Sequence, residues 1–456
     1  MTPRLMLAAA SSGSGKTTIA CAILQALTRM GEHPVSFKCG PDYIDPMFHR
    51  QVLGVPSRNL DLFFSDEATA AYLLQKNSEN FSLAFIEGVM GYYDGIATTT
   101  EASSWQLAKA TQTPVVLVLN CKGMSVSIAA QLGGYLSYQP DSQIKGVILN
   151  QVSKSIYPEI KALIEQRYDV AVCGYMPKMS DCSLESRHLG LVTAEEIGDL
   201  QQRLEKLGEQ AMQTIDLPLL LKIAAQAPAL AVPAVQLPAP NPTPLRIGVA
   251  RDKAFSFYYA DNLELLEQLG AQLVEFSPLH DPQLPDDLDG LLLGGGYPEL
   301  YADTLSQNRT LMAQIKASLQ NGLPCIAECG GFQYLCEQLE GADSKSYPMV
   351  GFLPGSSFRT PSLRRFGYVR LTAQKDNLLC KKGEGFAAHE FHYWDSQHCG
   401  NGCIAQKPCR RSSWECVVCD ENFWAGYPHL YFYADVQMAK NFLNRCNRFH
   451  TQKEGK

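Results

Sequence analysis

An α/β fold with parallel sheets in two successive units is predicted by three features of the chain. Short apolar runs ending in small or polar residues alternate with longer amphipathic segments, as parallel strands covered by helices require. Leu5 to Ala20, LMLAAASSGSGKTTIA, passes from an apolar run through a Gly/Ser turn into a helical period, which is the context of a phosphate-binding loop. Leu323 to Leu335, LPCIAECGGFQYL, sets Cys329 after a strand and before a helix among small residues, the pattern of a nucleophile elbow.

Composition bounds what such a chain can be. Its 456 residues suffice for several domains of about 100–200 residues each. Apolar residues make up 46% and charged residues 19%, a globular balance that argues against disorder and coiled coil. The net charge of −7 provides no global basic field, so neither nucleic acid nor an anionic membrane is an expected partner. The apolar run before Gly13 is too short for a signal sequence and no segment reaches membrane-spanning length, so a cytoplasmic protein is expected. Its fifteen cysteines are then expected to be reduced thiols.

In the first unit the loop comes first. Backbone N–H groups converge on a phosphate chain only where residues are small, as at Ser12, Gly13, Ser14 and Gly15, and the dipole of the following helix adds attraction. Lys16 is placed to reach the β- and γ-phosphates of a nucleotide, with the Thr17 hydroxyl on Mg²⁺ and Thr18 beside it. The first glycine of the usual motif is Ala10 here. The runs VSFKCG, LAFIEG, PVVLVLN and KGVILNQV supply further strands, and ligands of such sheets gather at the strands' carboxyl ends. Those ends carry Lys38, Asp42 and Asp45, then Glu87 and Asp94, then Asn150. A lysine and several carboxylates are therefore expected near the loop.

GSGKTT, FKCGPDYIDPMFH, PSRNLD, IEGVMGYYDG and RHLGLV, in that order, resemble the cobyrinic acid a,c-diamide synthase family. The resemblance implies a P-loop NTPase-type parallel-sheet domain, similar to dethiobiotin synthetase, followed by a flavodoxin-like class I glutamine amidotransferase domain. It implies ATP-dependent amidation of the a and c acetates of cobyrinate in corrinoid biosynthesis, with glutamine or ammonia as nitrogen source and ATP and Mg²⁺ as cofactors. Hydrogenobyrinate and nickel-sirohydrochlorin are the alternative tetrapyrrole polycarboxylates, and a homodimer is an assembly open to such an enzyme. Carried over by position, Lys38 faces the γ-phosphate and the substrate carboxylate, and Glu87 helps hold the metal. Asp42, Tyr43 and Asp45 form a loop for substrate and Mg²⁺ whose two roles stay undivided, Asp45 being the one assigned to the metal with Thr17. Asn150 matches a position that reads the adenine edge. Asn120 stands where an aspartate is expected.

Ala194 to Ile215 has Leu200, Leu204 and Leu207 at helical spacing, which predicts a packed helix. Ala225 to Pro244 is rich in Ala and Pro and nearly free of charge, as an interdomain linker is. The expected division is a synthetase domain at 1–224, a linker at 225–244 and an amidotransferase domain at 245–456. LRIGVA opens the second unit, and DGLLLGGGYPEL is a strand ending in glycines. Cys329 is the expected nucleophile, with Gly295 and Gly330 as oxyanion donors and the helix N-terminus expected to lower the thiol pKa.

The family resemblance, not spacing, selects His429 in WAGYPHLYF as the base. Tyr431 stands where the ordinary triad has a glutamate, so the group that orients the imidazole is open. In HEFHYW, His389 and His392 would point to opposite faces of a strand, which suits core or interface better than metal. Arg364 and Arg365 in FRTPSLRRFGYV either meet substrate carboxylates or form a solvated pair. Cys399, Cys403, Cys409, Cys416 and Cys419 either hold zinc or are reduced thiols; only the last pair has zinc-like spacing. From another class, a partitioning-type ATPase switch with an interaction module would carry a lysine where Ser11 stands. A plain cysteine hydrolase would leave the phosphate-binding loop unexplained.

Overall fold

A computed structural model describes residues 2–182, 194–233 and 235–455. Arg187 to Val192, the RHLGLV segment, lies outside them. The chain divides into two compact units, Met1–Val235 and Gln236–Lys456.

In the first unit, seven parallel strands, β1 (Arg4–Ala9), β2 (Pro34–Cys39), β3 (Ser57–Leu60), β4 (Leu83–Glu87), β5 (Val115–Asn120), β6 (Ile144–Asn150) and β7 (Ala171–Met176), are ordered β3-β2-β4-β1-β5-β6-β7. The chain leaves β1 for one side of the sheet and returns to its other side at β5. β1 therefore ends at a topological switch point, where the following loop is free to bind a ligand. The edge strands β3 and β7 did not stand out among the apolar runs. SRNL is short and polar, and AVCGYM is broken by Gly174, so neither carries a strong period.

The core of this unit joins the central strands to two helices. Ile19, Ile23 and Leu27 of α1 (Lys16–Arg29) pack with Leu204, Leu207 and Ala211 of the helix Ala194–Thr214 against Leu7, Val116, Val118 and Ile148. Spacings of three and four residues put each set on one helical face. Leu200, Leu204 and Leu207 are all buried, as their period predicts.

The second unit holds a six-stranded sheet made of β8 (Leu245–Ala250), β10 (Ala271–Phe276), β11 (Gly290–Leu293), β13 (Cys325–Glu328), β20 (Val418–Cys419) and β21 (Phe423–Gly426), ordered β10-β8-β11-β13-β21-β20. Its first five strands are parallel, and β20 joins β21 antiparallel. This order is the flavodoxin-like one. β9 (Phe255–Phe257) pairs with β12 (Gly295–Gly296). A second sheet contains β14 (Cys336–Glu340), β15 (Ser346–Pro348), β16 (Leu353–Ala373), β17 (Gly385–Ser396), β18 (Cys403–Gln406), β19 (Ser413–Cys416) and β22 (His429–Leu430). Among the described residues no helix is long and apolar enough to cross a membrane.

Candidate active sites

The loop after β1 is held by backbone geometry that only small residues allow. Gly13 and Gly15 have φ of 76° and 84°, the left-handed region that glycine enters without strain. A Cβ on Gly15 would lie 2.3 Å from Asn150 Nδ2. That amide donates to the Ser14 carbonyl at 2.8 Å, and its Oδ1 accepts from Gln151 N at 3.0 Å. Asn150, expected at an adenine edge, thus has both ends of its amide on neighbouring backbone and braces the loop. Ala10 lies at the buried end of β1 with an ordinary negative φ, which explains why no glycine is needed there. Asp94 accepts from Gly91 N at 3.0 Å and Asn120 from Lys122 N at 3.1 Å; both are turn braces.

Behind the loop, β2 and β4 set Lys38 directly opposite Glu87. Lys38 Nζ lies 3.0 Å from Glu87 Oε1 and also bonds Asp45, at the start of α2 (Ile44–Gln51). Thr17 Oγ1 donates to the same Glu87 oxygen at 2.7 Å. All three of Lys38, Asp45 and Glu87 are buried. Burial alone would lower the Lys38 pKa, but Asp45, Glu87 and Asp42 outweigh it and hold the ammonium charged well above its usual range. Burial would likewise raise Asp45, yet Lys38 holds it below the ordinary carboxylate range. Asp42, half-buried and beside Asp45, is pushed up to about 7 by desolvation and by that neighbouring carboxylate, while its Oδ1 accepts from Ile44 N at 2.9 Å. Tyr43 is buried at the start of α2. Lys16 Nζ reaches the Met90 carbonyl at 3.4 Å, and burial with the nearby Lys38 charge lowers its pKa.

His49 belongs to this cluster and was not singled out from the sequence. Its Nδ1 lies 2.9 Å from Ser36 Oγ, which donates to Ser57 Oγ at 2.7 Å. Burial lowers its pKa, which favours the neutral ring. Nε2 stands 3.7 Å from Glu87 Oε2, beyond hydrogen-bond reach. That carboxylate oxygen is buried without a hydrogen-bond partner. The signal lay in the spacing of Asp45 and His49, which puts them on one face of α2. An orphaned carboxylate oxygen beside Thr17 Oγ1 and Asp45 makes an all-oxygen donor set that suits Mg²⁺, which takes one or two carboxylates and leaves its remaining positions to phosphate and water. Among the described residues no group of three His, Cys, Asp or Glu side chains could hold a metal ion. Cys399, Cys403, Cys409, Cys416 and Cys419 are all free thiols.

In the second unit β13 ends at Glu328, and Cys329 turns with φ 47° and ψ −101° into the helix Gly330–Leu335. A Cβ on Gly331 would lie 2.1 Å from the Leu293 carbonyl, so the elbow closes only with glycine there. The Gly330 N–H donates toward the Cys329 sulfur. The thiol pKa departs from expectation. Burial pushes it well up, with Glu299, Glu328 and Glu390 adding to the rise, and the six-residue helix that follows does not reverse this. This environment favours the thiol over the thiolate at Cys329.

His429 is the expected base. It is buried at the end of β21's connection to β22, and a Cβ on Gly295 would lie 2.6 Å from its Cε1. Glu328 Oε2 lies 3.4 Å from His429 Nδ1, an ion-pair separation. Glu328 thus lies against the imidazole, whereas the Tyr431 hydroxyl bonds Asp261 at 3.1 Å. Burial pushes the Glu328 carboxyl up and His429 draws it back down in part. His389 pairs with His429 across β17 and β22, and burial pushes it down to about 3 with His429 adding to the fall. His392, on the opposite face, stacks on Tyr427 at 3.9 Å and meets Glu390 at 3.2 Å. Arg365 pairs with Asp395 at 3.4 Å and reaches Cys399.

A phosphate-binding loop with a lysine–carboxylate cluster, followed in the second unit by a cysteine at a strand-to-helix elbow, fits a nucleotide-binding domain joined to a glutamine amidotransferase domain. Residues 5–192 match the family model described as a CobQ/CobB/MinD/ParA nucleotide binding domain, and residues 246–436 match that of a CobB/CobQ-like glutamine amidotransferase domain. The cobyrinate a,c-diamide synthase of Caldanaerobacter subterraneus subsp. tengcongensis is 39% identical over 447 residues, 97% of this chain and 98% of that protein. The protein of the same name from Listeria innocua is 40% identical over 452 residues, 98% of this chain and 100% of that protein. The chain belongs to the cobyrinate a,c-diamide synthase family.

Proposed function

We propose that the chain amidates the a and c acetates of cobyrinate with glutamine or ammonia as nitrogen source, at the expense of ATP and in the cytoplasm. The observation that carries this reading is the presence in one chain of both chemical centres, Lys38 with Glu87 behind the loop and Cys329 with His429 at the elbow. The end-to-end likeness to relatives of that name supports it.

A carboxylate is a poor acyl donor, so the γ-phosphoryl group of ATP is first transferred to an acetate oxygen; ammonia then attacks the acyl phosphate and inorganic phosphate leaves. Such transfer asks the protein for positioned positive charge. Ser12 to Thr18 cradle the phosphates, Asn150 keeps the loop in shape, and Lys16 and Lys38 present ammonium groups. Thr17, Asp45 and Glu87 are the residues that would hold Mg²⁺, which supplies further positive charge at the phosphate oxygens. Asp42 and Tyr43 line the substrate end of this site.

In the amidotransferase domain His429 takes the Cys329 proton as sulfur attacks the glutamine carboxamide, and Gly330 and Gly295 donate N–H groups to the oxyanion. His429 then delivers that proton to departing ammonia, with Glu328 stabilising the imidazolium. Water releases glutamate from the thioester.

Mass spectrometry of cobyrinate incubated with ATP, Mg²⁺ and glutamine tests the proposal, with hydrogenobyrinate and nickel-sirohydrochlorin run in parallel. Two successive amidations of cobyrinate are expected. Amidation of only one of the other macrocycles would overturn the substrate, and ATP hydrolysis without any amidation would favour a nucleotide switch.

A further inference from the structure

Three carboxylates raise the pKa of the Cys329 thiol, and two of them have partners. Glu328 faces His429 at 3.4 Å. Glu390 accepts from Trp414 Nε1 at 3.3 Å and meets His392 at 3.2 Å. The third, Glu299, sits in the 3₁₀ turn Pro298–Tyr301 that follows β12. This turn presses on the elbow, since a Cβ on Gly330 would lie 2.9 Å from Pro298 Cδ and 3.1 Å from Gly296 N. Glu299 is only 9% exposed. Its carboxyl is approached by its own backbone N–H, and among the described residues no Lys, Arg or His pairs with it.

A carboxylate buried beside the nucleophile without a cation is costly, and burial accordingly pushes Glu299 up to about 7. The other two carboxylates of this site, Glu328 and Glu390, each meet a histidine. A cation for Glu299 would come from what binds there, and glutamine carries one cationic group, its α-ammonium. We propose that Glu299 is the specificity residue that binds the α-ammonium of glutamine beside Cys329. The proposal rests on the glutaminase reading of Cys329 and His429, and adds to it the recognition of an amino acid rather than of any primary amide.

Ammonia release from glutamine and from glutaramate, which is glutamine without its α-ammonium, tests the assignment in the full-length enzyme. Wild type should hydrolyse glutamine at least about 30-fold better, as kcat/KM, because glutaramate leaves the buried charge unpaired. Glu299→Gln, which keeps the shape and removes the charge, should lower kcat/KM for glutamine by about 30-fold or more, mostly through KM, and leave glutaramate unchanged or improved. Its ammonia-dependent amidation of cobyrinate should equal that of wild type, which also shows that the variant is folded. Equal losses for both amides, or an unchanged preference for glutamine, would overturn the assignment. A wild type that does not distinguish the two amides would do so without any variant. If Cys329→Ala still released ammonia from glutamine, the glutaminase reading itself would fail, and the Glu299 assignment with it.

Discussion

Glu328 Oε2 lies 3.4 Å from His429 Nδ1, so the residue before the proposed nucleophile stands against the proposed base. In the proposed mechanism a carboxylate here would stabilise the imidazolium formed when Cys329 loses its proton, as the third member of other triads does. Glu328→Gln is therefore expected to lower kcat for glutamine-supported amidation by about 10²-fold, within the range of positioned acid–base groups. Ammonia-supported amidation should be unchanged. Equal glutaminase rates in wild type and variant would remove Glu328 from the mechanism.

The Cys329 thiol is pushed up by burial and by three carboxylates. A raised thiol pKa leaves little thiolate at neutral pH, and more forms as pH rises. Alkylation of Cys329 by iodoacetamide in the free enzyme should accordingly be slow at pH 7 and keep rising through pH 9 without a plateau. A plateau below pH 8, read by peptide mass spectrometry, would show a lowered pKa instead.

In the proposed reaction Lys16 and Glu87 act on ATP whatever the nitrogen source. Lys16→Ala should abolish amidation from glutamine and from ammonia alike, since both need the acyl phosphate. Glu87→Ala should lose activity that added Mg²⁺ partly restores, whereas Lys38→Ala should lose about 10²–10³-fold at every Mg²⁺ concentration. The same Mg²⁺ dependence in wild type and Glu87→Ala would argue against a metal role for Glu87.

Gly15 has φ 84°, and its missing side chain leaves room for the Asn150 amide. Gly15→Ala should cost about 1–2 kcal/mol from the backbone alone and displace Asn150 from the Ser14 carbonyl. Calorimetry should show a lower Tm together with weaker ATP binding. Unchanged ATP affinity would mean that the loop tolerates the side chain.

What the sequence determined by itself was whatever depends on local chain chemistry. Gly13, Gly15, Gly330 and Gly331 mark turns that only small residues make, and they located the phosphate-binding loop and the elbow. The apolar runs of β2, β4, β5 and β6 and the leucine period of the helix Ala194–Thr214 marked buried elements. The polar edge strand β3 and the glycine-broken β7 escaped because edge strands need no continuous apolar pattern. Tertiary structure alone decided who faces whom. The register of β2 on β4 set Lys38 across from Glu87, and the pairing of β13 with β21 brought Glu328 to His429. It also decided the charge state of the nucleophile. A helix start after a cysteine argues for a lowered thiol pKa, but the depth of burial and the gathering of Glu299 from a 3₁₀ turn and of Glu328 and Glu390 from two strands raise it. Desolvation and electrostatic coupling depend on distances between residues remote in the chain, and those distances exist only once the sheets have formed.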